Sequence, residues 1–260
     1  ERPDRAAQAI LEGRVVLLTD NSPEALIFPA TLNSLFQTAD DYYRNERIVT
    51  FLRLIRYVAA FLALALPGLY VAAATFHPQL LPGNLIRSMA EARSGVPFPT
   101  AAEVLLMELS FELLREAGLR MPGPAGNTIG IVGGLIVGQA AVSANLVSPI
   151  TVTVAALTAL GSFSIPNEEL SEVFRLWKYG ILLLGSCFGI LGVMLGCFLL
   201  LMLMAEQESY GIPWLYPYVG GNLNERADEK DSMFLAAARK RKRRPIFAKW
   251  GNRIRFRRKS

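Results

Sequence analysis

The chain has 260 residues, of which 52% are hydrophobic and 19% charged, and its mean hydropathy is +0.31. That balance excludes an ordinary soluble domain of this size. The formal charge of +5 describes one end only: 12 of the 27 basic residues lie between Arg239 and Lys259, leaving 15 basic against 22 acidic side chains elsewhere.

Residues 1–43 have soluble character. Residues 14–19 and 25–28 are short β-type runs, and Asp20-Asn21-Ser22-Pro23-Glu24 between them has turn chemistry, so a hairpin is expected. A lone hairpin is marginal in water. These residues therefore read as the end of a truncated soluble α/β domain, and the chain, opening on Glu1, as the C-terminal part of a longer protein. Asp40-Asp41-Tyr42-Tyr43 is expected to start a helix that continues into a membrane.

Three stretches carry no charge: 57–76, 121–167 and 179–205. About 20 apolar residues span a bilayer core. The outer stretches fit one span each. The middle one fits two, with a turn at residues 145–149. The fold class expected is mainly α: a polytopic helical membrane protein with about four full spans. The expected division is 1–43 soluble remnant, 44–210 membrane domain and 211–260 aromatic interfacial segment with a basic tail. Arg44, Arg47, Arg53 and Arg56 place the N-terminal side in the cytoplasm by the positive-inside rule. Pro67-Gly68 predicts a kink in the first span, as packing geometry or as a gating hinge. His77, the single histidine, has no metal-ligand partners at suitable spacing.

Pro99 and Thr100 open an amphipathic helix that Gly118 and Pro122 close. At 100° per residue, Glu108, Glu112 and Glu116 fall within about 80° of one another. Arg115 lies on the same side, Glu103 stands apart, and Leu106, Met107, Leu109, Phe111, Leu113, Leu114 and Ala117 cover the opposite face. The helix reads either as a surface helix with weak solvated pairs or as a cation-attracting, pore-side or re-entrant helix. Gly126, Gly130, Gly134 and Gly138 then recur every four residues. In a membrane such a stripe lets helix backbones approach closely. Gln139, Ser143 and Asn145 are polar groups at one end of the same helix.

Residues 179–205 read as one last span, carrying Cys187 and Cys197 about 15 Å apart along a helix, too far for a disulfide. Trp214, Tyr216 and Tyr218 read as an aromatic interfacial belt. The tail, with Phe247, Trp250 and Phe256 among its cations, reads as a cytoplasmic segment touching anionic lipid rather than nucleic acid. Arg175 and Lys178 sit awkwardly in this topology, since four spans place them outside. One histidine and two cysteines among apolar residues assemble no nucleophile–base pair, so no enzymatic activity and no cofactor are expected.

Ala74-Thr75-Phe76-His77-Pro78, Gly95-Val96-Pro97-Phe98-Pro99, Leu106-Met107-Glu108-Leu109, Phe111-Glu112-Leu113-Leu114-Arg115-Glu116-Ala117-Gly118, Arg120-Met121-Pro122, Ile131-Val132-Gly133, Gly138-Gln139-Ala140-Ala141-Val142 and Val147-Ser148-Pro149 follow one another in order. Together they resemble the A subunits of GerA-type spore germinant receptors, including the stage V sporulation branch, over about residues 1–220. The resemblance implies a multi-pass protein of the endospore inner membrane with both ends cytoplasmic. It implies a homo-oligomer, expected as a pentamer, that works with a transporter-like B subunit and a lipoprotein C subunit. It implies a channel releasing monovalent cations at germination. An ion-coupled transporter using membrane glutamates as a proton relay is the other class left open.

Overall fold

The structure is a computed structural model that describes residues 3–22, 24–120, 124–219, 231–236 and 245–248. In chain order the elements are α1 (Pro3–Glu12), β1 (Val15–Leu18), β2 (Ala25–Phe28), α2 (Leu32–Phe36), a 3-10 turn (Ala39–Tyr42), α3 (Glu46–Thr75), a second 3-10 turn (Pro78–Leu80), α4 (Gly83–Arg93), α5 (Thr100–Arg120), α6 (Pro124–Ser143), α7 (Pro149–Phe163), α8 (Glu168–Phe188), α9 (Ile190–Glu206), β3 (Glu208–Ser209) and β4 (Ile212–Pro213). The chain divides into two compact units, one of Glu1–Val58, Ile165–Leu170 and Leu200–Ser260, the other of Ala59–Ser164 and Ser171–Leu199. Segments far apart in the chain thus share a unit.

In the first unit the expected hairpin is present. β1 and β2 pair antiparallel with Val15 opposite Phe28 and Leu18 opposite Ala25. The helix expected from Asp40 is displaced. Thr38 and Asp41 bond each other in a capping box, which closes a 3-10 turn over Ala39–Tyr42, and α3 begins only at Glu46. The aromatic segment belongs here too. The Trp214 carbonyl accepts from the Leu32 amide at 2.8 Å, Ser209 Oγ accepts from the Ala30 amide at 3.1 Å, and Phe28 stacks on Tyr210.

The second unit is a bundle. Small residues set its closest approaches. A Cβ added at Gly161 of α7 would lie 2.6 Å from the Ala59 carbonyl oxygen of α3, so the two backbones touch there. Tyr70 and Thr151 meet by their hydroxyls at 3.4 Å further along, which makes α3 and α7 antiparallel. Gly68 of α3 faces Ile181 of α8 and Phe76 faces Gly189, so α3 and α8 run together. Contacts of Gly133 with Leu114 and of Ala141 with Met107 set α6 antiparallel to α5. Within this unit α3, α6 and α8 therefore run one way and α5, α7 and α9 the other.

The single last span expected over residues 179–205 is corrected to a helical hairpin. Gly189 adopts φ +63, a left-handed conformation that ends α8. α9 then folds back so tightly that a Cβ at Gly192 would lie 2.0 Å from the Leu184 carbonyl oxygen. Cys187 and Cys197 consequently sit on different helices, both as free thiols. Helix α5 also runs past Gly118 to Arg120. The turn at residues 145–149 is present, with Asn145 at φ +54 and Ser148 capping α7 through a bond from the Thr151 amide. Among the described residues, α3 alone is long and apolar enough to cross a bilayer by itself, at 30 residues and about 45 Å. α7 and α9 are apolar but shorter, and α3 continues as helix through Pro67.

Candidate functional site

Four charged residues of the bundle meet on the seam between α5 and α8. Glu108 and Glu112 stand one turn apart on α5, and Lys178 and Arg175 stand one turn apart on the antiparallel α8. The register brings them together as two rungs. Lys178 Nζ donates to Glu108 Oε2 at 2.6 Å, and both side chains are buried. Arg175 pairs with Glu112 and reaches Glu172 at 3.5 Å. Taking a carboxylate and an ammonium out of water costs several kcal/mol per ion by general estimates, which only close pairing offsets. The inner rung is not fully satisfied. Glu108 Oε1 is buried without a hydrogen-bond partner, and nearby Thr158 spends its hydroxyl proton on the Val154 carbonyl at 2.9 Å.

The outer members of the expected acidic face lie differently. Glu116 is exposed and pairs with Arg120 at 2.6 Å within α5. Arg115 lies over the Phe163 ring of α7 at 4.7 Å, a cation–π contact. Glu103 also has a defined place. Its Oε2 accepts from the Ser148 amide at 2.9 Å and the Thr151 hydroxyl at 3.0 Å, and its Oε1 accepts from Arg93 at 3.2 Å. A carboxylate at the N-terminus of α7 satisfies orphan donors and complements the helix dipole. Glu103 thus ties α4, α5 and α7 together.

The described part of the glycine stripe finds its neighbours inside the chain. A Cβ at Gly134 would meet Phe111 of α5 at 3.5 Å, and one at Gly138 would meet Val152 of α7 at 3.2 Å. Gly126 and Gly130 fall within α6, but their surroundings lie outside the described residues. Gln139, Ser143 and Asn145 are exposed; the Ser143 hydroxyl donates to the Gln139 carbonyl at 2.8 Å, and the Asn145 side chain faces Gly95.

Sequence reasoning singled out neither Lys178 nor Arg175 as site residues. The available signal was their awkwardness: two cations one helical turn apart, just before an uncharged run, need buried anions if the helix enters a bundle. Arg53 and Arg56 were likewise read only as topology markers. In the first unit both are bound to Asp41, at 3.2 and 2.8 Å. The tail was read as lipid-facing, yet its described part packs on protein, with Arg14 over the Phe247 ring at 4.4 Å and Gly13 against Ala248. The remaining tail residues lie outside the described ones.

These features define a mainly helical protein with ion pairs held between its helices, of which α3 is long and apolar enough to cross a bilayer. A family model described as Bacillus/Clostridium GerA spore germination protein matches residues 1–247, and the chain belongs to that family. It is 42% identical over 217 residues to spore germination protein GerLA of Bacillus cereus, covering 84% of this chain and 44% of that protein. It is 41% identical to spore germination protein A1 of Bacillus subtilis (strain 168), covering 84% of this chain and 45% of that protein. It is 42% identical over 237 residues to the uncharacterized membrane protein YfkQ of the same organism, covering 91% of this chain and 45% of that protein. The chain spans about half the length of the curated relatives it matches. No solved structure matches it.

Proposed function

We propose that this chain is the membrane part of a germinant-receptor A-type subunit. In this reading it is an oligomeric channel that releases monovalent cations when partner subunits sense nutrient. Family membership supports the germination role. One structural observation supports the ion path: side-chain exposure along α5 rises from 2% at Glu108 through 35% at Glu112 to 56% at Glu116. The inner rung is neutralised by Lys178. The outer carboxylates reach solvent, and their charge is moderated by the arginines they pair with, Arg175 for Glu112 and Arg120 for Glu116. Repeated around a homo-oligomer, a pentamer in this proposal, Glu112 and Glu116 form an acidic ring that concentrates cations and repels anions. Glu108 holds the wall behind them.

The alternating helix directions support an even number of crossings, with both ends cytoplasmic in the spore inner membrane. Shorter helices such as α7 cross by local thinning of the bilayer. The partners in this reading are a transporter-like B subunit and a lipoprotein C subunit, with anionic lipid at the basic tail.

The test is unitary current from the full-length protein in a planar bilayer. Glu112→Gln with Glu116→Gln keeps the volume and removes the ring, so cation conductance should fall while subunit abundance holds. Unchanged conductance at unchanged abundance removes α5 from the path. A second reading, an ion-coupled carrier with Glu108 as proton relay, is favoured by the buried, unpartnered Glu108 Oε1. Resolved single-channel steps would exclude it.

A further inference from the structure

In the first unit, α2, the first 3-10 turn and the start of α3 bind a short segment from the far end of the chain. Asp231 is its anchor. The Asp231 carbonyl accepts from Gln37 Nε2 at 2.7 Å and from Asn33 Nδ2 at 3.1 Å. Its carboxylate accepts from the Tyr42 hydroxyl at 3.1 Å and from Arg53 Nη1 at 3.0 Å. The same arginine nitrogen donates to the Ser232 carbonyl at 2.7 Å, and the Leu235 amide donates to Thr50 Oγ1 at 3.2 Å. Arg53 and Asp41 are each only 1% exposed, and Ser232 is buried beside them. Arg53 is therefore held between two carboxylates, Asp41 from its own neighbourhood and Asp231 from nearly 180 residues away.

We propose that Asn33, Gln37, Tyr42, Thr50 and Arg53 form a peptide-docking site for a short looped segment that carries a carboxylate, its two ends, Asp231 and Leu235, joined by an antiparallel bridge. Residues 231–235 of the same chain fill it as a clasp that holds α3 in the resting state. The recognition is specific in kind. Two side-chain amides read a backbone carbonyl, while a guanidinium and a phenol read the carboxylate. Arg53 keeps its bond to Asp41 throughout, but its second charge-assisted bond, from Nη1, forms only while the Asp231 carboxylate is seated. Arg53 lies on α3, so seating and release of Asp231 act on that helix directly. The channel consequence rests on the proposed function; the docking site does not.

The experiment uses the full-length protein with Cys187 and Cys197 replaced by Ala, and with Thr50→Cys and Leu235→Cys introduced. Oxidation should form an intramolecular cross-link and block nutrient-triggered cation release, and reduction should restore it. Asp231→Asn should raise spontaneous release about tenfold, since it weakens charge-assisted bonds to a buried arginine. If that variant loses abundance, Tyr42→Phe replaces it, with a smaller rise expected. Normal release from the cross-linked protein overturns the clasp, as does unchanged spontaneous release in abundant variants. Cross-linking between two chains instead of within one overturns the intramolecular assignment. An unsubstituted receptor that releases no cation on nutrient overturns the channel reading alone. Cross-link yield in membranes then decides the docking site: a loss with Asp231→Asn upholds it, and an unchanged yield overturns it.

Discussion

In the helical unit Glu108 faces one cation and keeps one oxygen without a partner, whereas in the other unit Asp41 is saturated. Arg56 donates to both Asp41 oxygens at 2.8 Å, Arg53 to one at 3.2 Å, and the Thr38 amide and hydroxyl complete the set. Both carboxylates are buried to about the same degree. The difference lies in backbone geometry. Rungs between two helices offer side chains only at helical spacing, because the backbone donors are already used within the helices. A 3-10 turn leaves an amide free to join side-chain donors around a carboxylate. Burial raises the affinity of Asp41 for a proton, but the bonds from Arg56 and Thr38 outweigh it and hold the carboxyl below its usual range. The helix seam is thus a pair that fails if one member is lost, and the turn is a network that loses its parts one at a time.

The largest expected effect breaks the pair. Lys178→Ala leaves Glu108 buried and uncompensated and should lower stability by about 3–5 kcal/mol, read by unfolding in detergent micelles. Glu108→Met together with Lys178→Met removes both charges at similar volume and should recover most of that loss. A double variant as unstable as the single one would mean that the charges do more than neutralise each other.

A middle effect probes the network. Asp41→Asn should cost about 1.5–3 kcal/mol near neutral pH, where the carboxylate is charged. The folded form holds a depressed value, so its contribution is complete above the unfolded value of about 3.9 and is lost as pH falls through the folded one. Stability curves of the variant and the unsubstituted protein should therefore run apart at neutral pH and converge in acid. A gap that persists in acid would assign the loss to packing rather than charge.

The smallest effect concerns the exposed pair. Glu116→Gln breaks a contact with Arg120 at the end of α5 and should change stability by about 0.3–0.5 kcal/mol, as exposed pairs four residues apart on a helix do. Added salt should erase even that. A larger, salt-resistant loss would show that Glu116 is covered in the assembled protein.

Helix periodicity made α5 legible from its residues, along with the shared face of Glu108, Glu112 and Glu116. Length and hydropathy did the same for α3, and turn chemistry for the β1–β2 hairpin and for the bend before Ser148. These are local properties, decided by residues within a few turns of one another. The last apolar run was misread because periodicity does not reveal where a helix turns back. Gly189, Gly192 and Gly196 were visible as glycines, but their meaning came from the carbonyl and side chains that press on them. The partners of the charged residues were equally hidden. Lys178 lies 70 positions from Glu108, and Asp231 lies 178 from Arg53. By itself the sequence determined which helices carry charge and that a buried charge needs a counter-ion. Only the tertiary structure decided which counter-ion, because pairing depends on helix register and chain reversal, and no local spacing encodes either.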